Sequence, residues 1–269
     1  MAGLLDASTR QKNWASPRNG RMARAPSLDA LWHSTAPARE SLTPGTLYGL
    51  PEAAQRYLEH AIAPGTRLAQ AVRLRMHGEI KLKRWFPFTA EQVLSAQRGI
   101  IWMATVRMCG LPIRGFDCVI DGTGAMQWKL LGIMPFVTAS GPDISRSAIG
   151  RFEIESMWLP SILCGRDVYW ESDSSSRLIA KFTRQDEPAE LRFTIDSDAR
   201  LRSLKMRRWC DPDGGGFRYE DFGVIVEEEA SFGGFTIPSR LRSGWYIGTD
   251  RFESEGEFIR LTIDEATYR

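Results

Sequence analysis

Residues 72–83 read VRLRMHGEIKLK, and their alternation decides the fold. Val72, Leu74 and Met76 share one parity, with Arg73, Arg75 and His77 on the other; after Gly78, Ile80 and Leu82 continue opposite Lys81 and Lys83. Successive side chains of a strand point to opposite faces, so this is a long strand with one buried face. Gly78, inside the run, marks a bend or bulge. The same texture continues at 89–96, 100–109, 113–120 and 125–131, with Asp121-Gly122-Thr123-Gly124 supplying a hairpin turn. A second series follows at 167–172, 177–183, 189–196, 201–210, 218–231, 235–246 and 251–263. Its connections include DSSS, SDA, DPDGGG and GG, which are turn chemistry. A dozen strands joined by short turns predict a mainly β chain built as one large antiparallel sheet, and nothing repeats at a fixed period.

Two helices interrupt this pattern. Ala54, Tyr57, Leu58 and Ile62 recur at helical spacing after Pro51, and Pro64-Gly65 ends the run, so 51–61 is helical. Between the two strand series, Ser140-Gly-Pro-Asp143 matches a helix start signal and predicts a helix over 140–163, with Ser140 and Asp143 capping it. At 100° per residue from Ile144, the apolar stripe has Ile154 and Trp158 on one side and Ala148 and Phe152 on the other. Arg151 and Glu155 fall in its middle, and Arg146 and Glu153 on the opposite, solvent side. Residues 1–46, rich in Arg, Pro, Ser and Ala, lack such a pattern and read as a partly disordered arm, with 47–269 as the single domain and its sheet beginning near 66. Within the arm, Leu28, Leu31 and Trp32 form a short amphipathic turn that docks on the body, closes the cavity as a lid, or mediates self-association.

Composition removes several function classes. With 269 residues, 43% of them hydrophobic, the chain buries a large core. Lys and Arg number 35 against 33 Asp and Glu, a net charge of +2, which gives a nucleic-acid groove no support. Residues 1–20 carry no export signal, and the longest apolar stretch is too short to span a bilayer, so no integral membrane contact and a cytoplasmic location are expected. Cys109, Cys118, Cys164 and Cys210 are widely spaced, with no histidine at ligand spacing, and read as reduced thiols; Cys109 and Cys118, flanking a hairpin, are the one pair that could face each other. There is no phosphate loop, dinucleotide fingerprint, nucleophile elbow or zinc-protease motif, and neither cofactor nor metal is expected. Two of the three histidines have a structural reading: His77 sits in the polar register of its strand and His60 ends a helix.

What remains is a charged pair on an apolar helix face. Arg151 and Glu155 at i,i+4 meet either as a buried ion pair tying helix to sheet, or as a cavity-wall acid/base with Arg151 polarising a substrate oxygen. Asp143 is a third candidate, with helix initiation as its alternative role. Asp117 and Glu171 adjoin aromatic residues on strands, and alternation does not decide which way they point. Nine tryptophans and 13 phenylalanines on a curved sheet with few helices to cover it imply an apolar cavity, with Trp158, Trp102, Phe116, Trp170 and Phe136 as candidate ligand contacts.

The segments WFPFTAEQ (85–92), LPIRG (111–115), SGPD (140–143), RFEIE (151–155) with WLP (158–160), and GFTIP (234–238) resemble those of a bacterial domain-of-unknown-function family. That family is similar to the lipoprotein-carrier (LolA-like) half-barrel proteins, and the resemblance covers about residues 50–269. It implies a strongly curved antiparallel sheet wrapped round an internal helix, with an apolar interior. Arg151, Glu155, Trp158 and Pro160 match its R-x-x-x-E-x-x-W-x-P helix motif. The expected function is binding of an apolar small molecule (lipid, terpenoid or polyketide-like) in the half-barrel cavity. Cofactor-free cyclisation, isomerisation or dehydration of that molecule is an open extension. A non-catalytic carrier or a protein-interaction module is the alternative.

Overall fold

The computed structural model describes residues 25–269; residues 1–24 of the expected arm lie outside the described residues. The strands form two antiparallel meanders. The first is β1 (Ala71–Leu82), β2 (Arg84–Ser95), β3 (Gly99–Met108), β4 (Leu111–Ile120), β5 (Thr123–Leu130) and β6 (Met134–Ser140). The second is β7 (Tyr169–Ser174), β8 (Arg177–Arg184), β9 (Glu187–Ile195), β10 (Leu201–Cys210), β11 (Arg218–Phe232), β12 (Phe235–Trp245) and β13 (Glu257–Tyr268). Pairing of β1 with β13 fuses them into one 13-stranded sheet of order 6-5-4-3-2-1-13-12-11-10-9-8-7. The predicted mainly β, curved antiparallel sheet round an internal helix is therefore the fold.

Short turns set the order. Asp121-Gly122, with φ of 48° and 80°, and Gly233-Gly234, with 56° and 90°, have the doubly left-handed backbone of tight hairpins. The register shift along β1 falls at Arg75/Met76, where Asp264 of β13 is the extra residue, rather than at Gly78. Gly78 serves a different purpose: a Cβ there would stand 2.0 Å from the Arg260 carbonyl oxygen, so its absence lets β13 approach.

Strands β6 and β7 are consecutive in sequence yet occupy opposite edges of the sheet, so residues 141–168 must cross its concave face. They do so as α3 (Pro142–Ile154) and two 3-10 turns, Glu155–Trp158 and Pro160–Cys164. The expected continuous helix over 140–163 thus ends early: the chain tightens to 3-10 geometry at Glu155, Leu159 leaves helical geometry at φ −132° and ψ 66°, and Pro160 cannot donate to a continuing helix. Its start also differs. Ser140 is the last residue of β6, a strand that Pro135 near its start helped to hide, and Gly141 caps α3 with no side-chain bond. At the C-terminal end, residues 252–256 form a π-turn, so the expected strand over 251–263 begins later and runs to Tyr268.

Two further helices complete the body. α2 (Glu52–Ala61) fills the concave side near β7, β8 and β12, with Tyr57 ring-packed on Trp170 and Phe193. α1 (Leu28–Ser34) lies on the opposite, convex face, where Leu31 packs with Val93, Ile101 and Cys118. Ser41 bridges to Arg67, and Leu42 N–H donates to the Thr66 carbonyl. Of the roles expected for Leu28, Leu31 and Trp32, docking is the one this position serves; they do not close the cavity. Cys109 is in the β3–β4 turn while Cys118 sits opposite Ile101, so these two free thiols do not meet.

Candidate functional site

A cavity of about 110 Å³ lies between the end of α3 and the concave face. Its wall is apolar, with Met76, Trp102, Trp158, Phe222, Leu241 and Phe258. Inward parity explains this lining: Gln92, Trp102 and Asp117 are cross-strand neighbours on β2, β3 and β4, so all three face α3. Their outward neighbours, Val93, Ile101 and Cys118, are the ones that α1 covers.

Arg151 is the hub of the polar groups. Its Nε donates to Glu155 Oε1 at 2.6 Å and its Nη1 to Asp117 Oδ2 at 3.2 Å, while its guanidinium stacks 4.8 Å from the Trp102 ring centre. Each carboxylate has a second donor: Gln92 Nε2 to Glu155 Oε2 at 2.8 Å, and Trp128 Nε1 to Asp117 Oδ1 at 2.9 Å. Burial works against the Arg151 charge, and the Glu155 and Asp117 carboxylates overcome it, holding the guanidinium above its ordinary pKa. All four carboxylate oxygens are thereby occupied. Trp158 closes the inner end, its Nε1 donating to the Pro238 carbonyl at 3.0 Å and its own carbonyl accepting from the Tyr268 hydroxyl at 3.1 Å.

Two further buried ionisable groups flank this hub. Arg208 lines the cavity from β10, 8% exposed, with Nε donating to the Ser147 carbonyl at 3.0 Å. Burial first, then the like charge of Arg151, lowers its pKa to about 10. Glu153, placed on the solvent side by helical phasing, is instead buried at 2% exposure, and burial raises its carboxyl to about 8 against the opposing pull of Arg184. The reason is the crossing connection: α3 is gripped by β4 and β5 on one flank and by β9 and β10 on the other, so a single-stripe reading fails. Arg146 is partly exposed and paired with Glu187 at 2.9 Å, in keeping with its expected place.

Of the expected site residues, Arg151, Glu155, Trp102 and Trp158 come together at the cavity. Asp143 does not; its Oδ1 accepts from Trp209 Nε1 at 2.9 Å near the exposed start of α3. Phe116 is on the convex face with α1, Trp170 is in the core beside Tyr57, and Phe136 is 39% exposed on edge strand β6. Asp117 points inward, whereas Glu171 pairs with Lys181 on a partly exposed surface. Arg208 was missed, though parity exposes it: Leu204, Met206, Arg208 and Cys210 form the inward row of β10, and the arginine is the charge among them. Gln92 was missed because a buried glutamine in a strand carries no signal of its own. Among the described residues there is no cluster of three or more metal-ligating side chains, and no helix is long and apolar enough to cross a membrane.

No curated protein matches the chain in sequence. Among solved structures, it is similar to a domain described as an outer membrane lipoprotein-sorting protein from Vibrio parahaemolyticus, at 8% identity, 81% coverage of this chain and 91% of that one, and a TM-score of 0.40. It is likewise similar to a LolA superfamily protein from Nitrosomonas europaea, at 10% identity, 81% and 92% coverage, and a TM-score of 0.40. Residues 48–268, close to the 50–269 over which the sequence resemblance extends, match the Family of unknown function (DUF6920), and the chain belongs to that family.

Proposed function

We propose that the protein binds a hydrophobic small molecule in the cavity between α3 and the concave sheet. The observation that carries this reading is the wall itself: an apolar surface interrupted by few polar groups, most of them held in fixed geometry, which is the usual make-up of a small-molecule site. At about 110 Å³ the space is somewhat smaller than the ~150 Å³ engineered cavities that admit benzene, so it accepts one ring or a short alkyl segment. A longer lipid, terpenoid or polyketide chain requires α3 to part from the sheet.

Binding without turnover fits the polar groups better than acid/base chemistry. A general acid or base needs an oxygen within reach of substrate, and both oxygens of Glu155 are taken by Arg151 and Gln92. The Arg151 hub then fixes the wall and keeps its charges from facing the ligand. Native mass spectrometry of the purified protein, with organic extraction of whatever it carries, tests the reading. A stoichiometric apolar compound is expected, and it should disappear in Ala148→Phe, which fills the cavity from α3. Retention of the same compound by the filled variant would place binding elsewhere.

A further inference from the structure

We propose that Arg208 receives the anionic head of the cavity's ligand, so that the molecule bound is a small amphipathic acid: a carboxylate on a compact apolar body. This rests on the reading of the cavity as a hydrophobic-ligand site and adds the class of molecule it selects. A cation this deeply buried is costly unless an anion or strong acceptors meet it. The structure meets only one edge of it. Nε is satisfied by the Ser147 carbonyl, and the guanidinium face lies 4.8 Å from the Phe222 ring centre and 5.3 Å from that of Trp245. Among the described residues no carboxylate contacts it. Asp117 and Glu155 are held by Arg151, and Glu153 is a carboxyl that burial keeps largely protonated at neutral pH.

The position is built rather than incidental. A Cβ on Gly150 would come within 2.9 Å of Arg208 Cγ, so a glycine in the middle of α3 makes room for the arginine stem to pass the helix. Trp245 Nε1, in a ring that Arg208 stacks on, is buried without an acceptor. Guanidinium presents paired donors that match a carboxylate. A single cation with no carboxylate in contact, beside a cavity of about 110 Å³, suits a singly charged head: Arg151 is already paired with two carboxylates, whose fields reach Arg208 only from a distance, and a dianionic phosphate would find no second free cation there among the described residues.

Isothermal titration of the full-length protein with hexanoate, 1-hexanol and hexylammonium at pH 7 tests this. The expected order is acid, then alcohol, then amine, with hexanoate at least ten-fold tighter than hexanol. In Arg208→Met the acid preference should vanish while hexanol still binds. Equal wild-type affinities for acid and alcohol, or an acid preference that survives Arg208→Met, would overturn the proposal and leave the hydrophobic site standing. If none of the three probes binds, the cavity reading fails and takes this inference with it. The wild-type order alone decides the matter if the variant does not fold.

Discussion

At the scale of single residues, Glu153 makes a prediction opposite to the one its helical phase suggests. Its folded pKa, about 8, is raised from 4.5, so the native state binds the proton more tightly than the unfolded chain. Its contribution to stability is therefore full below about pH 4.5 and is lost as pH rises toward 8. Glu153→Gln should flatten that slope, changing little near pH 5 and stabilising the fold by on the order of a few kcal/mol above pH 8; urea unfolding at several pH values measures it, with the exposed Glu59→Gln as control. Glu155→Gln should keep the fold at a cost of about 1–3 kcal/mol. Asp117 still faces Arg151, and Gln92, whose Oε1 has no partner, can turn its amide to accept from the new one. A loss beyond ~5 kcal/mol in the same unfolding experiment would mean that Asp117 does not compensate Arg151.

At the scale of elements, α1 contributes stability from the convex face and has no part in the cavity. Removing residues 1–46 should leave the sheet folded but weaken it by roughly 2–4 kcal/mol: burial of Leu31 and Leu42 stabilises by about 1.5–3 kcal/mol each, offset by the entropy of the freed chain. Circular dichroism with urea unfolding reports both quantities, and a truncated chain without a sheet signal would make the arm part of the folding core. The same scale shows what the sequence could reveal. Strands announced themselves wherever parity was clean, as at Val72, Leu74 and Met76. β6 did not, because Pro135 and a nearly all-exposed edge leave it no alternation. Helix α3 was legible as an element, and its Arg151–Glu155 pair as a buried pair. Its second buried flank was not, since a helical wheel assumes one covered face and this helix is covered on two. Asp117 and Arg208 enter the site from strands distant in sequence, and their meeting with α3 depends on a sheet closure that no local pattern encodes.

For the whole molecule, the organising fact is that two meanders joined at β1 and β13 leave their free edges, β6 and β7, to be connected across the interior. That crossing supplies the plug, and imperfect filling beside the plug leaves the cavity. The central claim is that this space accepts an apolar molecule. Crystals exposed to 1-bromopentane, a neutral probe whose bromine is located by anomalous scattering, test it most directly. The account predicts an ordered bromine among Trp102, Trp158 and Leu241, with α3 in place. Bromine found only on the surface, with the cavity left empty at saturating probe, would contradict it.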